Sequence, residues 1–210
     1  NIVLMKPLFK DDKELALIQR VALVFLEKGM KAMTMDDIAV ELHVSKKTLY
    51  KYVKNRAELV KKCVQLRVQK EIENRTMIQS AGLNAVEETL KMTEFSAQII
   101  ANSHEKMHSD LQKYFPESFK LITDFKTGFL YETVLKNIQK GIKEGLYLAS
   151  INPEIIAKMY IAKIDLVFDG ETFPTNQYKF KDVLNQVAQH QIRGMATKKG
   201  NEILERLINN

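Results

Sequence analysis

The chain of 210 residues is long enough for one large domain or two small ones with a sizeable core, and its 45% apolar content excludes a disordered chain. A single cysteine, Cys63, excludes a disulfide framework or a cysteine-based zinc site and fits a reducing compartment. No run approaches the roughly 20 apolar residues of a membrane span. The net charge of +6 is concentrated: residues 1–62 hold 13 Lys and Arg against 8 Asp and Glu, whereas the remainder holds 19 against 18.

The opening NIVLMKPLFK is too short and too soon charged for a signal peptide. A soluble cytoplasmic protein with no membrane partner is expected. With 8 Gly and 4 Pro there is room for long helices. Residues 11–28 read as an amphipathic helix, with Leu15, Ile18, Ala22, Phe25 and Leu26 on its apolar stripe and Asp11 and Asp12 at its dipole-favoured start. Gly29 ends it. Thr34 caps a segment running to Leu42, with Asp36 and Asp37 in its first turn and Ile38, Ala39 and Leu42 inward. After His43-Val44, Ser45 caps a short helix to about Val53. Asn55 caps another, from Arg56 to about Arg75. Two short helices joined by a turn of about four residues have the form of a helix-turn-helix, whose later helix enters the DNA major groove.

Gly82-Leu83-Asn84 breaks the chain before a periodic helix from Ala85 to about Ser103. Pro116 opens a long helix that stops at Gly145, with Phe119, Ile122, Phe125 and Phe129 on its inner stripe. Asn152-Pro153 starts a helix ended by Gly170; another spans Gln177 to about Arg193, and a short terminal helix follows Lys199-Gly200. Runs of alternating β-branched residues are absent, so no strands are expected. The predicted fold is all-α: an N-terminal three-helix helix-turn-helix head (1–55) and a larger helical ligand-binding and dimerisation body (56–210), linked by a shared helix at 56–75.

Between Val44 and Lys62 lie seven basic residues and one acid, Glu58. Such a run reads either as a solvated helix face or as a polyanion-binding surface. Residues 34–59, TMDDIAVELHVSKKTLYKYVKNRAEL, favour the second. They resemble the DNA-binding head of the tetracycline-repressor (TetR) family of transcriptional regulators. The match runs through Gly29, Thr34, Ile38, Ala39, Val44, Ser45, Thr48, Leu49, Tyr50, Tyr52, Lys54, Arg56, Glu58 and Leu59. IQKGIKEGLYLASINPEIIA resembles the family's body, and RGMATKKG a C-terminal feature of some members.

The resemblance implies base or backbone contacts to double-stranded DNA from Thr34, Ser45, Lys46, Lys47, Thr48, Tyr50, Tyr52, Lys54 and Arg56. Lys46, Lys47, Thr48 and Lys51 fall on the outer face near the start of the recognition helix, where free N–H groups suit a phosphate. The sequence departs from the family at three positions: His43 stands where a turn glycine is usual, Val53 replaces Phe, and Lys47 replaces Gly. A dimer making about four or five phosphate contacts per protomer would lose roughly 10³–10⁵ in affinity between about 50 and 200 mM salt.

The resemblance further implies a homodimer through about 153–170 and 178–193, a palindromic operator, and release of a repressor by a small-molecule effector. A largely apolar effector fits the candidate lining Met92, Phe95, Ile99, Met107, Phe125, Phe129, Met159, Tyr160 and Lys163, although an ordinary core is the plainer explanation for any single one of them. Lys163, on an otherwise apolar helix, could pair with an acidic effector. One motif points elsewhere. Residues 104–108, HEKMH, match the H-E-x-x-H signature in which two His bind zinc and Glu is the general base. A zinc hydrolase would need a third ligand. Only His43 and His190 remain, or Glu132 at a distance, so His104 and His108 read better as helix-end residues. No catalytic residue and no cofactor is expected. An architectural DNA-binding protein is the remaining alternative.

Overall fold

The computed structural model describes residues 8–101 and 107–209. Among them it is all α-helical, its one extended pairing being an isolated bridge between Tyr147 and Ala196. The chain forms two compact units, Asn1–Lys70 with Asn102–Thr123, and Glu71–Ala101 with Asp124–Asn210. This division differs from the expected one at 55, because a later stretch of chain returns to the first unit.

In the first unit, α1 (Asp12–Lys28) is capped by Asp11, whose carboxylate accepts from Glu14 N at 2.8 Å. Gly29 ends it at φ 80° and ψ 152°, a backbone region essentially reserved for glycine. Thr34 and Asp37 form a reciprocal capping box that starts α2 (Met35–Glu41). Ser45 caps α3 (Lys46–Tyr50), and the Asn55 side chain accepts from Glu58 N at 2.9 Å at the start of α4 (Arg56–Ser80). The α4 helix runs five residues beyond the expected Arg75, and no Gly or Pro interrupts it before Gly82.

Ile18, Val21, Phe25, Ile38, Leu49, Leu59 and Val60 are essentially inaccessible and bind α1–α4 together. The α1 stripe is rotated from the predicted one. Leu17, Val21 and Val24 face inward, whereas Leu15, Ala22 and Leu26 are half-buried. Two further helices, α6 (Met107–Tyr114) and α7 (Pro116–Phe125), join this core through Leu111, Phe115 and Phe119. No cap or periodic run in the sequence had signalled α6.

The second unit contains α5 (Ala85–Ala101), α8 (Tyr131–Lys143), α9 (Pro153–Val167), α10 (Phe180–Met195) and α11 (Lys198–Ile208). The single helix expected from Pro116 to Glu144 is α7 and α8 joined by a π-helical turn at Lys126–Leu130. Ile138, Tyr147, Ala157, Ile192 and Leu204 centre the main core.

The RGMATKKG segment has a structural explanation. Thr197 N donates to Leu146 O at 2.9 Å, and Thr197 Oγ1 caps α11 by accepting from Gly200 N. A Cβ at Gly200 would stand 2.2 Å from Leu146 O, and one at Gly141 2.1 Å from the Tyr147 ring. Both glycines are there because two segments cross without room for a side chain.

Candidate nucleic-acid interface

The recognition segment is held from behind by an apolar floor and from its ends by capping groups. Leu49 and Val53 anchor α3 in the core, with Ile38, Ala39 and Leu42 of the preceding segment. The turn between α2 and α3 places His43 at φ 52°, the one non-glycine residue at positive φ among those described. The departure from glycine at this position therefore carries local backbone strain. Arg20 of α1 donates Nη2 to Leu42 O at 2.5 Å, closing the end of α2 against α1.

Around this scaffold lies an open groove. On one side it is lined by Lys13, Ala16, Leu17 and Arg20 of α1. On the other it is lined by Val44, Ser45, Lys47, Thr48, Tyr50, Lys51 and Tyr52. Four cations and no carboxylate line it, the charge balance suited to a phosphate backbone. Lys13 and Arg20 were not among the residues expected from the sequence. The available signal was their spacing, two turns apart on the side of α1 that carries Ala16 rather than the apolar stripe.

The sequence-predicted contacts divide by availability. Lys47 and Lys54 are exposed and make no side-chain ion pair among the described residues. Tyr50 is 46% exposed at the end of α3. Lys51 lies 5.1 Å from the Tyr52 ring, and Tyr52 is half-buried against the core. Ser45 and Thr48 are joined, Oγ to Oγ1, at 2.8 Å, and Ser45 Oγ also accepts from Thr48 N. One of the N–H groups expected to face a phosphate is thereby used in the cap. Lys46 pairs with Asp36 at 2.7 Å, which raises its pKa, so it must exchange that partner to reach a phosphate or base. Thr34 Oγ1 is committed to Asp37, whose carboxyl is held below the ordinary range by hydrogen bonds from the Thr34 hydroxyl and backbone.

Arg56 departs from the expectation. Its Nη1 donates to Met33 O at 3.0 Å and its guanidinium lies 5.2 Å from the Phe115 ring. It is turned inward, because the loop after α1 leaves carbonyls that need a donor.

In the second unit a small cavity of about 30 Å³ lies among α4, α5, α8, α9 and α10. Of the predicted effector lining, Met92 and Tyr160 border it, and Lys163 Nζ donates to Gln191 Oε1 at 3.1 Å behind it. Burial raises the pKa of the Tyr160 hydroxyl. Phe95 and Ile99 are half-buried and do not border it. Phe125 and Phe129 stack on each other at 5.9 Å beside the π-helical turn, and Met159 is 47% exposed. Met107 is corrected outright. It is buried in the core of the first unit, because α6 packs there. His104 and Glu105 of the HEKMH match lie outside the described residues. His108 meets the Phe119 ring edge-on at 5.2 Å. Among the described residues no three His, Cys, Asp or Glu side chains are grouped to hold a metal ion, and no helix is long and apolar enough to cross a membrane.

A strongly basic groove flanking a capped helix-turn-helix, carried on an all-helical chain, defines a DNA-binding transcriptional regulator. Residues 22–63, the helix-turn-helix segment, match the family model described as bacterial regulatory proteins, tetR family. A helix-turn-helix-type transcriptional regulator of Bacillus subtilis, YvaF, is 28% identical over 172 residues, covering 80% of this chain and 88% of YvaF. Two solved structures share the fold. One is a transcriptional regulator from Saccharomonospora viridis in complex with choline (TM-score 0.73, 14% identity, 89% of this chain and 99% of that one). The other is FadR of Bacillus subtilis in complex with stearoyl-CoA (TM-score 0.67, 17% identity, 86% and 98%).

Proposed function

We propose that the protein is a homodimeric, sequence-specific repressor that binds a palindromic operator and is released by a small effector. The observation that carries this reading is the acid-free groove, with Lys13, Lys47, Lys51, Thr48 and Tyr50 around the start and end of α3. Lys47, Thr48 and, once freed from Asp36, Lys46 are the candidate base readers. Lys13, Tyr50, Lys51 and Lys54 are the candidate phosphate contacts. Ser45, Thr34 and Arg56 act mainly by fixing the helices.

Dimerisation is supported by α9. Ile155, Met159 and Leu166 are 57%, 47% and 50% exposed, and with Ala162 they recur along one face of the helix. Apolar side chains aligned on one helix face, rather than scattered, are the mark of a covered surface. Two-fold symmetry then requires two half-sites related as the protomers are.

Effector release is supported by α4, one continuous helix whose start is capped in the first unit and whose last turns border the cavity of the second. The cavity is far below the roughly 300–1,000 Å³ of a ligand pocket, so an effector must open it. Neighbours of this fold hold ligands as unlike as choline and stearoyl-CoA, so the fold alone does not set the effector.

The decisive experiment is selection of bound sequences from random duplex DNA by the purified protein at near-physiological salt. An enriched palindrome is the expected result. Retention without enrichment would favour the architectural reading. On the selected site, Lys13→Ala should lower the slope of log affinity against log salt by about 0.9 for each phosphate that Lys13 neutralises. An unchanged slope would remove α1 from the interface.

A further inference from the structure

The cavity in the second unit is small and mostly apolar, yet several buried polar side chains border it. Arg75, Thr133, Asn137 and Gln191 border it at 7%, 3%, 6% and 8% exposure. A count of their hydrogen-bonding capacity separates the groups already satisfied from those that are not. Asn137 is fully used. Its Nδ2 donates to Ala85 O and Glu88 Oε2, both at 3.0 Å, and its Oδ1 accepts from Thr89 Oγ1 at 2.9 Å and from the Tyr147 hydroxyl at 3.5 Å. Thr133 donates to Phe129 O at 2.8 Å.

Two residues have donors to spare. Arg75 gives Nε to Glu71 at 3.2 Å and Nη2 to Ser96 at 2.7 Å. Its Nη1 has no partner among the described residues. Gln191 accepts from Lys163 through Oε1, which fixes its Nε2 amide as the group left over. Among the nitrogen groups at this cavity the unspent capacity is therefore N–H donors, while the Thr89, Thr133 and Tyr160 hydroxyls can accept as well as donate. The charge balance points the same way, because Glu71 offsets Arg75 while Lys163 stands behind Gln191. The rest of the lining, Met92, Val134, Ile138 and Met195, is apolar and includes two adaptable methionines.

We propose that Arg75 and Gln191 bind the polar end of the effector, and that this effector is an apolar molecule ending in a carboxylate or carbonyl oxygen. This rests on the reading that the protein answers to a ligand. The acceptor oxygen takes the Nη1 edge of Arg75 and the Nε2 amide of Gln191. The space now present is of the order of a couple of waters or one carboxyl group, and the apolar body enters by displacing the methionines. An ammonium end would bring donors to donors and a positive charge beside Arg75 and Lys163.

The test is calorimetric titration of the full chain with three matched probes: octanoate, 2-octanone and octylamine. Octanoate and 2-octanone are expected to bind at least about tenfold more tightly than octylamine. Two variants locate the effect: the double substitution Glu71→Gln with Arg75→Gln, which leaves no orphaned buried charge, and Gln191→Leu. Each should cut the preference for the oxygen-ended probes to within about threefold. Octylamine binding as tightly as octanoate would overturn the assignment, as would a preference that survives in both variants, or no probe bound at all. Release of the selected operator separates the two levels. Arg75-dependent binding of octanoate without release leaves the ligand class standing and removes the effector reading. Release by a compound lacking an acceptor oxygen does the reverse.

Discussion

The two units of this chain keep their polar groups in opposite places. In the first, the interior is almost wholly aliphatic and aromatic, from Ile18 to Phe115, with Glu14 paired to Lys62 as its main buried charge pair. Its working groups stand outside, around the basic groove. In the second, Glu71, Arg75, Glu88, Thr93, Ser96, Asn137 and Gln191 are all buried. A buried polar network holds one arrangement where every group is satisfied, and leaves room for a further partner only where donors or acceptors are unspent. The first unit thus keeps its polar chemistry on the surface, and the second keeps it inside, with the Arg75 and Gln191 donors left over.

The largest effect on this contrast is expected at Leu49, which is fully buried beneath the recognition helix. Leu49→Ala should cost about 2–5 kcal/mol. Amide hydrogen exchange should show the loss in α1–α3. Protection there like that of the wild type would mean that α3 is not held by its core. Next comes Gly141→Ala, which drives a methyl into the Tyr147 ring and should cost about 1–3 kcal/mol. Denaturant unfolding followed by tyrosine fluorescence reads it directly.

A gain is expected at His43. Replacing it with Gly relieves the left-handed strain at φ 52° and should stabilise the first unit by about 0.5–1 kcal/mol. A lower midpoint in that variant would show that the imidazole makes an interaction worth more than the strain.

The smallest effect is one of pH. The folded Asp37 carboxyl lies below its ordinary range because Thr34 hydrogen-bonds it. Its contribution is therefore fully present above the unfolded value of about 4. It is lost as pH falls through the lower folded value. Stability should decline on acidification through this window, and less steeply in Asp37→Asn. Equal slopes would locate the acid sensitivity elsewhere.

The expectations that matched the structure were local ones. Capping by Thr34, Ser45 and Asn55, and the helix starts at Asp11 and Asn152, depend on side chains two or three residues from their partners, so spacing along the chain is sufficient. The helix-turn-helix was legible for the same reason, along with most of the groove's α3 side. What failed was long-range. Arg56 reads as an exposed cation at a helix start, yet the carbonyls and ring that hold it come from residues 31–33 and from Phe115. Met107 reads as pocket lining, yet it packs in the first unit's core, because the chain returns there after α5.

The helical class, the capped elements and the basic head follow from the order of residues, because periodicity, caps and charge act within a few positions of chain. Folding was needed to settle which cations share the groove, that Lys13 and Arg20 join it, and that Asp36 occupies Lys46. It also brought Arg75 and Gln191 together with unspent donors. They are 116 positions apart in the chain, and hydrogen-bond capacity can be counted only once such groups have met.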